Sequence, residues 1–180
     1  MLRITIPAIE LWDENKEEFI NTKEQTLQLE HSLVSLSKWE SKWNKPFLSK
    51  DTKTEEEELD YIKCMTITQN VDPNVYKFIP LNIREEIKEY INAPMSATWF
   101  SEDKNTKSSS EQITSELIYY WMVAQNIPFE CEKWHLNRLI TLIKICNIKS
   151  QPPKKMGKKA IMSRNAALNA ARRKQLNTKG

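Results

Sequence analysis

The chain begins with apolar residues that alternate with polar ones, a pattern typical of β-strands. The alternating apolar positions are Leu2, Ile4, Ile6, Leu27 and Leu29. Pro7 ends the first run, and a polar segment with Phe19 and a turn at residues 21–24 separates it from the second. The spacing therefore predicts a short N-terminal β-hairpin. A helix running continuously from about Glu24 is the alternative interpretation of the second half.

A helical period replaces this alternation in the segment SLSKWESKW, residues 35–43. Trp39 and Trp43 are one helical turn apart, on a side that a row of leucines extends towards the N-terminus. Ser32 is a favourable N-cap, and Pro46 stops the pattern. We predict a helix from Ser32 to Trp43. Its tryptophans are expected to face inward as core anchors, with at most their rim offered to a partner.

The middle of the chain predicts two amphipathic helices joined by a short connector, DPNVYKFIP, that contains a helical turn. Thr54 caps the first helix, and its acidic opening turn, Glu55 to Glu58, suits the positive end of the helix dipole. This turn is expected to be solvated rather than to form a cation site, because consecutive residues on a helix point in different directions. The second helix stops before Pro94. The residues expected on the buried sides are Leu59, Ile62, Ile67, Ile83, Ile87 and Ile91. Residues 101–112 are polar and serine-rich, which predicts an exposed loop.

Two further helices carry the most apolar sequence of the chain and are predicted to form the centre of the core. The apolar face of the first is predicted to hold Ile113, Leu117, Trp121, Tyr120 and Met122. The second begins with Pro128, because the first turn of a helix tolerates proline well. The buried residues expected in the second helix are Leu136, Leu139, Ile140, Ile143 and Cys146.

Composition narrows the fold class. The chain has two glycines, Gly157 and Gly180, so the residues before them hold no glycine-dependent phosphate loop and do not suit a large all-β fold. Hydrophobic residues make up 39% and charged residues 28%, as in a soluble protein with a modest core. The sequence has no visible signal peptide and no run of about 18 apolar residues. Its three scattered cysteines are typical of reduced thiols.

Charge divides the chain into two predicted parts, a domain at residues 1–148 and a basic extension at 149–180. The extension holds ten of the 27 basic residues and none of the 24 acidic ones, so the domain has 17 basic residues and a net charge of −7. Alanine-rich sequence from Lys158 predicts a helix with a sparse apolar stripe, Ile161, Leu168 and Leu176. Such a helix suits docking onto an acidic partner or back onto the acidic domain of its own chain. Nucleic-acid binding and a merely solvated tail are the alternatives. We predict a mainly α fold: a small helical domain with a short N-terminal β-hairpin and a basic C-terminal helical extension.

Cys131 and His135 are the strongest candidates for chemistry, because they stand four residues apart on a predicted helix. A structural zinc site needs four ligands, and Glu132 and Cys146 are the only other candidates nearby. A cysteine nucleophile would need a pocket and a third group that orients the histidine. We therefore predict that the pair is structural, that the protein uses no metal or other cofactor, and that it is not an enzyme.

Three segments resemble small proteins encoded in the virion-morphogenesis modules of tailed bacteriophages. They are LEHSLVSLSKWESKW, IYYWMVAQNIPFECEKWHLNRLITLIKICN and MSRNAALNAARRKQLNTKG. The role that matches best is the tail assembly chaperone of long-tailed phages. The resemblance covers most of the chain and is weakest over residues 49–112.

This resemblance implies a small, mostly helical protein without catalytic residues that binds the tape measure protein in the host cell cytoplasm during virion assembly. The major tail protein is a second candidate partner and self-association is left open, whereas nucleic acid and membranes are not expected partners. The alternatives are a structural virion component, such as a head–tail connector or tail completion protein, and a nucleic-acid-binding regulator acting through the basic tail. The residues expected to contact a partner are Trp39, Trp43, Trp121, Trp134, Lys158, Lys159, Arg164, Arg172 and Arg173.

Overall fold

The computed structural model describes residues 1–13, 18–100, 112–151 and 157–178. The chain divides into two compact units, Met1–Asn147 and Ile148–Gly180. The protein is mainly helical with antiparallel strands at its N-terminus, which confirms the predicted fold class. Residues 101–111 of the predicted loop lie outside the described residues. In the part of the chain that is described, no helix combines the length and the apolar character needed to cross a membrane.

Four strands form the N-terminal region as two antiparallel pairs. Strands β1 (Leu2–Ile6) and β4 (Gln25–Leu29) form one pair, and β2 (Ile9–Asp13) and β3 (Glu18–Thr22) form the other. The predicted strands are therefore confirmed, whereas the turn placed at residues 21–24 and the continuous helix from Glu24 are wrong. The β1–β4 ladder ends at Ile6, so the predicted end of the first strand at Pro7 is confirmed, and the strands after Pro7 form a separate pair.

The apolar side chains of β1 and β4 lie on one buried face, as their alternation predicts. Ile4 is opposite Leu27 in the register, and both are buried. The chain that follows the second helix extends this sheet, since the Ile67 N–H donates to the Gln28 carbonyl oxygen at 2.8 Å. This edge position leaves Ile67 53% exposed, so the expectation that it is buried is wrong.

Helices α1 (Leu33–Trp43) and α2 (Glu55–Met65) begin where their caps predict. Ser32 caps α1 through a capping box with Ser35, and Thr54 caps α2 through a capping box with Glu57. The capping box of α2 directs Glu57 inward, and its side chain is buried. The expectation that the whole acidic turn is solvated is therefore wrong at this one residue, because a local cap and a tertiary contact act together on it.

The connector and the third helix agree with the sequence pattern. A 3₁₀ helix at Pro73–Phe78 is the predicted helical turn, and α3 (Leu81–Asn92) ends before Pro94. Ile83 and Ile87 of α3 are buried. Ile91 packs against the core while remaining partly exposed. The amphipathic face of this helix is therefore confirmed.

Helix α4 (Ser115–Ala124) buries a face that includes Met122, as predicted, but otherwise differs from the predicted one. Ser115, Ile118 and Met122 are its buried residues. Ile113 lies outside the helix and Tyr120 is 65% exposed, so both are corrections, while Leu117 and Trp121 are partly buried. The sequence could not select a face because apolar and aromatic residues surround this helix on every side.

The predicted second apolar helix is broken into two pieces. A 3₁₀ helix at Phe129–Lys133 follows Pro128, and α5 (Leu136–Ser150) starts only at Leu136. The break is held by the N-terminal half of the chain, since Ser32 and His135 form a β-bridge and the Leu136 N–H donates to the His31 carbonyl oxygen at 2.7 Å. Leu136, Leu139 and Ile143 are buried as predicted.

The second unit contains α6 (Lys158–Leu176), which confirms the predicted basic helix. Its C-cap is Asn177, which adopts a left-handed backbone conformation with φ of 53°. Asparagine also occupies this conformation at Asn44, which caps α1, and at Asn70 and Asn126. Among the described residues, asparagine thus occupies all the non-glycine positions of positive φ except Met95.

Candidate functional site

The tryptophan pair of α1 fastens this helix to α2. The Trp39 indole N–H donates to the Glu57 carbonyl oxygen at 2.9 Å, and the Trp43 indole N–H donates to Asp60 Oδ2 at 2.9 Å. The two rings stack with centroids 6.2 Å apart. Trp39 is 1% exposed, so the inward orientation is confirmed and its assignment as a partner-binding residue is corrected. Trp43 remains partly exposed and keeps a rim at the surface.

Charged side chains complete the α1–α2 contact. Lys42 Nζ lies 2.5 Å from Asp60 Oδ1, and Lys45 Nζ lies 2.6 Å from Glu57 Oε1. Burial alone would raise the pKa of the Asp60 carboxyl, but the hydrogen bonds from Lys42 and Trp43 outweigh it and lower the pKa. The bond from Lys45 and the Thr54 N–H lower the pKa of Glu57. These carboxylates are thus held ionised by structural partners.

Trp121 and Trp134 lie at the edge of the core. Both are partly buried and pack against it. The Arg138 guanidinium lies over the Trp134 ring, 4.2 Å from the centroid, which favours a cation–π contact. Both indole rings are held against the core and remain partly exposed to solvent. Their contact with a partner stays a prediction.

A group of exposed apolar residues on α4 and the following 3₁₀ helix was missed by the sequence pattern. Tyr120 and Val123 are three residues apart on the outer side of α4, and both are exposed. Phe129, at the start of the 3₁₀ helix, is also exposed. Its ring centroid lies 6.4 Å from that of Tyr119 on α4. The Tyr119 hydroxyl donates to Glu132 Oε2 at 2.9 Å and so ties the 3₁₀ helix to α4. We call Tyr120, Val123 and Phe129 the α4 face.

The basic residues predicted to bind a partner lie on α6. Lys158, Lys159, Arg164, Arg172 and Arg173 all have exposed side chains. The sparse apolar stripe is exposed as well, at Ile161, Leu168 and Leu176. This helix therefore presents both cations and aliphatic side chains to solvent, and what it binds stays a prediction.

Cys131 and His135 do not share a helix, contrary to the expectation. Cys131 is buried in the 3₁₀ helix, and His135 precedes α5. Both ring nitrogens of His135 are engaged: Nδ1 accepts from the Asn137 N–H at 3.3 Å, and Nε2 donates to the Tyr90 carbonyl oxygen at 3.0 Å. This arrangement requires a neutral imidazole with its proton on Nε2. His135 thus serves the packing of α3 against α5.

The second histidine lies beside the first. The rings of His31 and His135 have centroids 5.1 Å apart, and the Tyr61 hydroxyl bonds to His31 Nδ1 at 2.5 Å. Burial, and then the neighbouring His135, lower the pKa of His31 to about 3. Burial also lowers the pKa of His135. Both imidazoles are therefore neutral structural groups at pH 7.

Comparison with known proteins adds no family to this picture. Among the described residues, no group of three or more His, Cys, Asp and Glu side chains is placed to hold a metal ion. No family model, curated protein or solved structure matches this chain significantly.

Proposed function

We propose that this protein is a non-enzymatic tail assembly chaperone of a tailed bacteriophage, which binds the tape measure protein while the tail is built. The resemblance of the three sequence segments motivates the proposal. The structural observation that carries it is the α4 face, where Tyr120, Val123 and Phe129 expose apolar surface beside a well-packed core. Contiguous apolar surface, unlike a single exposed residue, marks sites that bind other proteins, and Tyr120 and Val123 are neighbours on one side of α4.

The α4 face suits a helical client. Side chains three or four residues apart on one helix form a row that can pack against the apolar face of another helix. Tyr120 and Phe129 add aromatic area, and aromatic residues dominate the energetics of protein interfaces. Trp121, on the same helix, has surface left to extend the contact.

The use of the polar groups also supports a binding role over an enzymatic one. His135 holds two backbone groups, and Asp60 and Glu57 are paired with lysines and hydrogen-bonded within the fold. Each of these side chains already has a hydrogen-bond or ion-pair partner within the domain, so its structural role accounts for it. The surface that remains is better suited to holding a polypeptide than to transforming a substrate.

Nucleic-acid binding through α6 is the second candidate function. The exposed side chains of Lys158, Lys159 and Arg172 favour it, because cations in a row can follow a phosphate backbone and displace its counterions. Binding to a DNA duplex that weakens steeply as salt rises, and that is lost when these residues are replaced by glutamine, would support this second candidate.

Co-purification with the tape measure protein tests the chaperone proposal. We expect the wild-type chain to retain a co-expressed tape measure protein and Tyr120→Ala/Val123→Asp to lose it. Ile67→Ala, at an exposed apolar residue outside the α4 face, should retain it as a matched control. Failure of the wild-type chain to retain the protein would refute the proposal. Stoichiometric presence in purified virions would instead indicate a structural component.

A further inference from the structure

Helix α6 carries cations on every side and has no acidic residue. At 3.6 residues per turn, its lysines and arginines are spread around the whole helix axis. All of them are exposed. They are Lys158, Lys159, Arg164, Arg172, Arg173 and Lys174. Charge complementarity therefore points to a polyanion that reaches this helix from more than one side.

The apolar side chains of α6 do not form a face that could enter a membrane surface. Ile161 and Leu168 are two turns apart on one side of the helix, and Arg164 lies between them on the same stripe. A helix that lies in a lipid interface separates its apolar side from its charged side. The mixed stripe of α6 thus favours a polyanion in water over a lipid surface.

The rest of the chain confines a polyanion to this helix. All 24 acidic residues of the protein lie before residue 149. The field of such a domain repels a second negatively charged molecule, whereas the basic extension attracts it. The contact is therefore expected to involve α6 and not the surface of the acidic domain.

Two asparagines lie in the middle of α6. Asn165 and Asn169 are four residues apart, so they are neighbours on one side of the helix, and both are exposed. Asparagine is a weaker helix former than alanine, and these side chains pack against nothing in a core, so neither helix propensity nor packing accounts for them. An asparagine amide can donate and accept at once, and it matches the N6 and N7 atoms of adenine in the major groove of DNA.

Arginines flank the row of asparagines. Arg172 and Arg173 come three and four residues after Asn169, which places one on each side of the row. A helix in the major groove has base edges in front of it and a phosphate backbone on either side. The order of amides and cations on this side of α6 corresponds to that arrangement.

The width of the helix favours B-form DNA over double-stranded RNA. An α-helix with its side chains is about 10–12 Å wide, and the major groove of B-form DNA is about 12 Å wide. The major groove of double-stranded RNA is too deep and narrow for side chains to read. Of the two duplexes, DNA is thus the one whose bases α6 can reach.

We propose that α6 lies in the major groove of double-stranded DNA, where Asn165 and Asn169 bind adenines and the flanking cations bind phosphates. The inference rests on the nucleic-acid candidate given above, and it adds the groove and the bases that are read. It uses no residue of the α4 face, which belongs to the other compact unit. The chaperone proposal can therefore fail or hold independently of it.

Fluorescence anisotropy of a short labelled DNA duplex measures binding by the full chain. The logarithm of the binding constant should fall linearly with the logarithm of the salt concentration, with a slope of up to about −5 if all the cations of α6 take part. Double-stranded RNA of the same sequence should bind more weakly, and equal or tighter binding of it would overturn the choice of DNA. Polyglutamate that competes better than DNA would also overturn it and would point to an acidic protein. Absence of DNA binding at low salt would refute the nucleic-acid candidate as well.

Selection of bound duplexes from a random pool tests the asparagines. The wild-type chain should enrich duplexes that hold two A·T pairs close together. Asn165→Ala/Asn169→Ala should lose this enrichment but keep the salt-dependent affinity. Gln175→Ala, which removes an amide from another side of α6, should enrich the same duplexes as the wild type. DNA binding without enrichment, or enrichment that survives the loss of both amides, would overturn the inference and leave the nucleic-acid candidate standing.

A modified base tests the groove. Replacing adenine by 7-deazaadenine in an enriched duplex removes N7 from the major groove and leaves the minor-groove edge unchanged. The wild-type chain should bind this duplex about fivefold more weakly, because a bidentate contact to the correct base discriminates by about that factor or more. Asn165→Ala/Asn169→Ala should bind both duplexes equally. Unchanged affinity of the wild-type chain would overturn the assignment to the major groove.

Discussion

The Glu40 carboxylate, buried on α1, accepts a hydrogen bond of 2.7 Å from the backbone N–H of Ser115, 75 residues later in the chain. Ser115 is the first residue of α4, where a backbone N–H has no partner within its own helix. The other oxygen of Glu40 accepts from the Phe47 N–H at 2.8 Å. One side chain therefore joins α1, the loop after it and the start of α4.

Removal of the Glu40 carboxylate should destabilise the fold strongly. Glu40→Ala leaves the N–H groups of Phe47 and Ser115 without their acceptor, and we expect a loss of about 3 kcal/mol in the free energy of unfolding, since bonds to charged groups contribute about 1.5–3 kcal/mol. Glu40→Gln keeps one acceptor oxygen and should lose about half as much. Urea denaturation measures both, with the exposed Glu86→Ala as a control. Equal stability of Glu40→Ala and Glu86→Ala would contradict this role.

The tryptophans should differ in their contributions to stability according to burial. We expect Trp39→Ala to lose about 3–5 kcal/mol, as is usual for a fully buried aromatic residue. Trp43→Ala should lose less, because its ring is partly exposed and its bond to Asp60 lies near the surface. Trp99→Ala should change stability by less than about 0.5 kcal/mol, as surface substitutions do. Midpoints of urea denaturation in any other order would contradict the burial found here.

Acid should destabilise the protein through its two histidines. An unfolded histidine has a pKa near 6.5, whereas the pKa of His31 in the fold is about 3. Between these values the unfolded chain binds a proton that the folded chain does not, so stability falls as pH drops below 6.5. From His31 alone we expect a loss of about 2 kcal/mol between pH 7 and pH 5.

A histidine variant checks the source of this pH dependence. His31→Asn places an acceptor oxygen near the position of Nδ1, where it can still bond to the Tyr61 hydroxyl, and it does not titrate. Its free energy of unfolding should be lower at pH 7 but should change less between pH 7 and pH 5 than that of the wild type. A pH dependence as steep as the wild-type one would assign the effect to other groups, such as His135, whose pKa is also lowered by burial. Asp60 would not explain it, because its lowered pKa removes stability only at lower pH.

The basic helix should contribute little to the stability of the Met1–Asn147 unit. The described side chains of α6 are exposed, including its apolar residues Ile161 and Leu168. We expect a chain ending at Ser150 to change its free energy of unfolding by less than about 0.5 kcal/mol. Thermal unfolding followed by circular dichroism measures this. A large drop in the melting temperature would show that α6 stabilises the rest of the chain.

Local signals in the sequence were sufficient to predict where several helices and strands begin. Ser32 and Thr54 act on the backbone within three residues of themselves, so the beginnings of α1 and α2 could be read directly. The period-two pattern of β1 and β4 likewise depends on neighbouring residues and placed their buried faces correctly.

Features set by distant residues could not be predicted in the same way. The break before α5 depends on the bridge between Ser32 and His135, which are far apart in sequence. The role of Glu40 likewise depends on Ser115, which is 75 residues away in the sequence, so no local signal announces it. For the candidate site, the sequence identified the basic residues of α6 but not the outer side of α4, where Tyr120 was expected inside. Aromatic residues on all sides of a helix hide which side is buried.

The asparagines at the left-handed corners affect the unfolded chain as well as the folded one. A glycine at Asn44, Asn70 or Asn126 would relieve the steric cost of positive φ, but it would give the denatured chain more conformations to lose on folding. Each asparagine accepts a small local strain and in return restricts the denatured ensemble. Asparagine at these bends consequently leaves the chain less conformational entropy to lose on folding than glycine would.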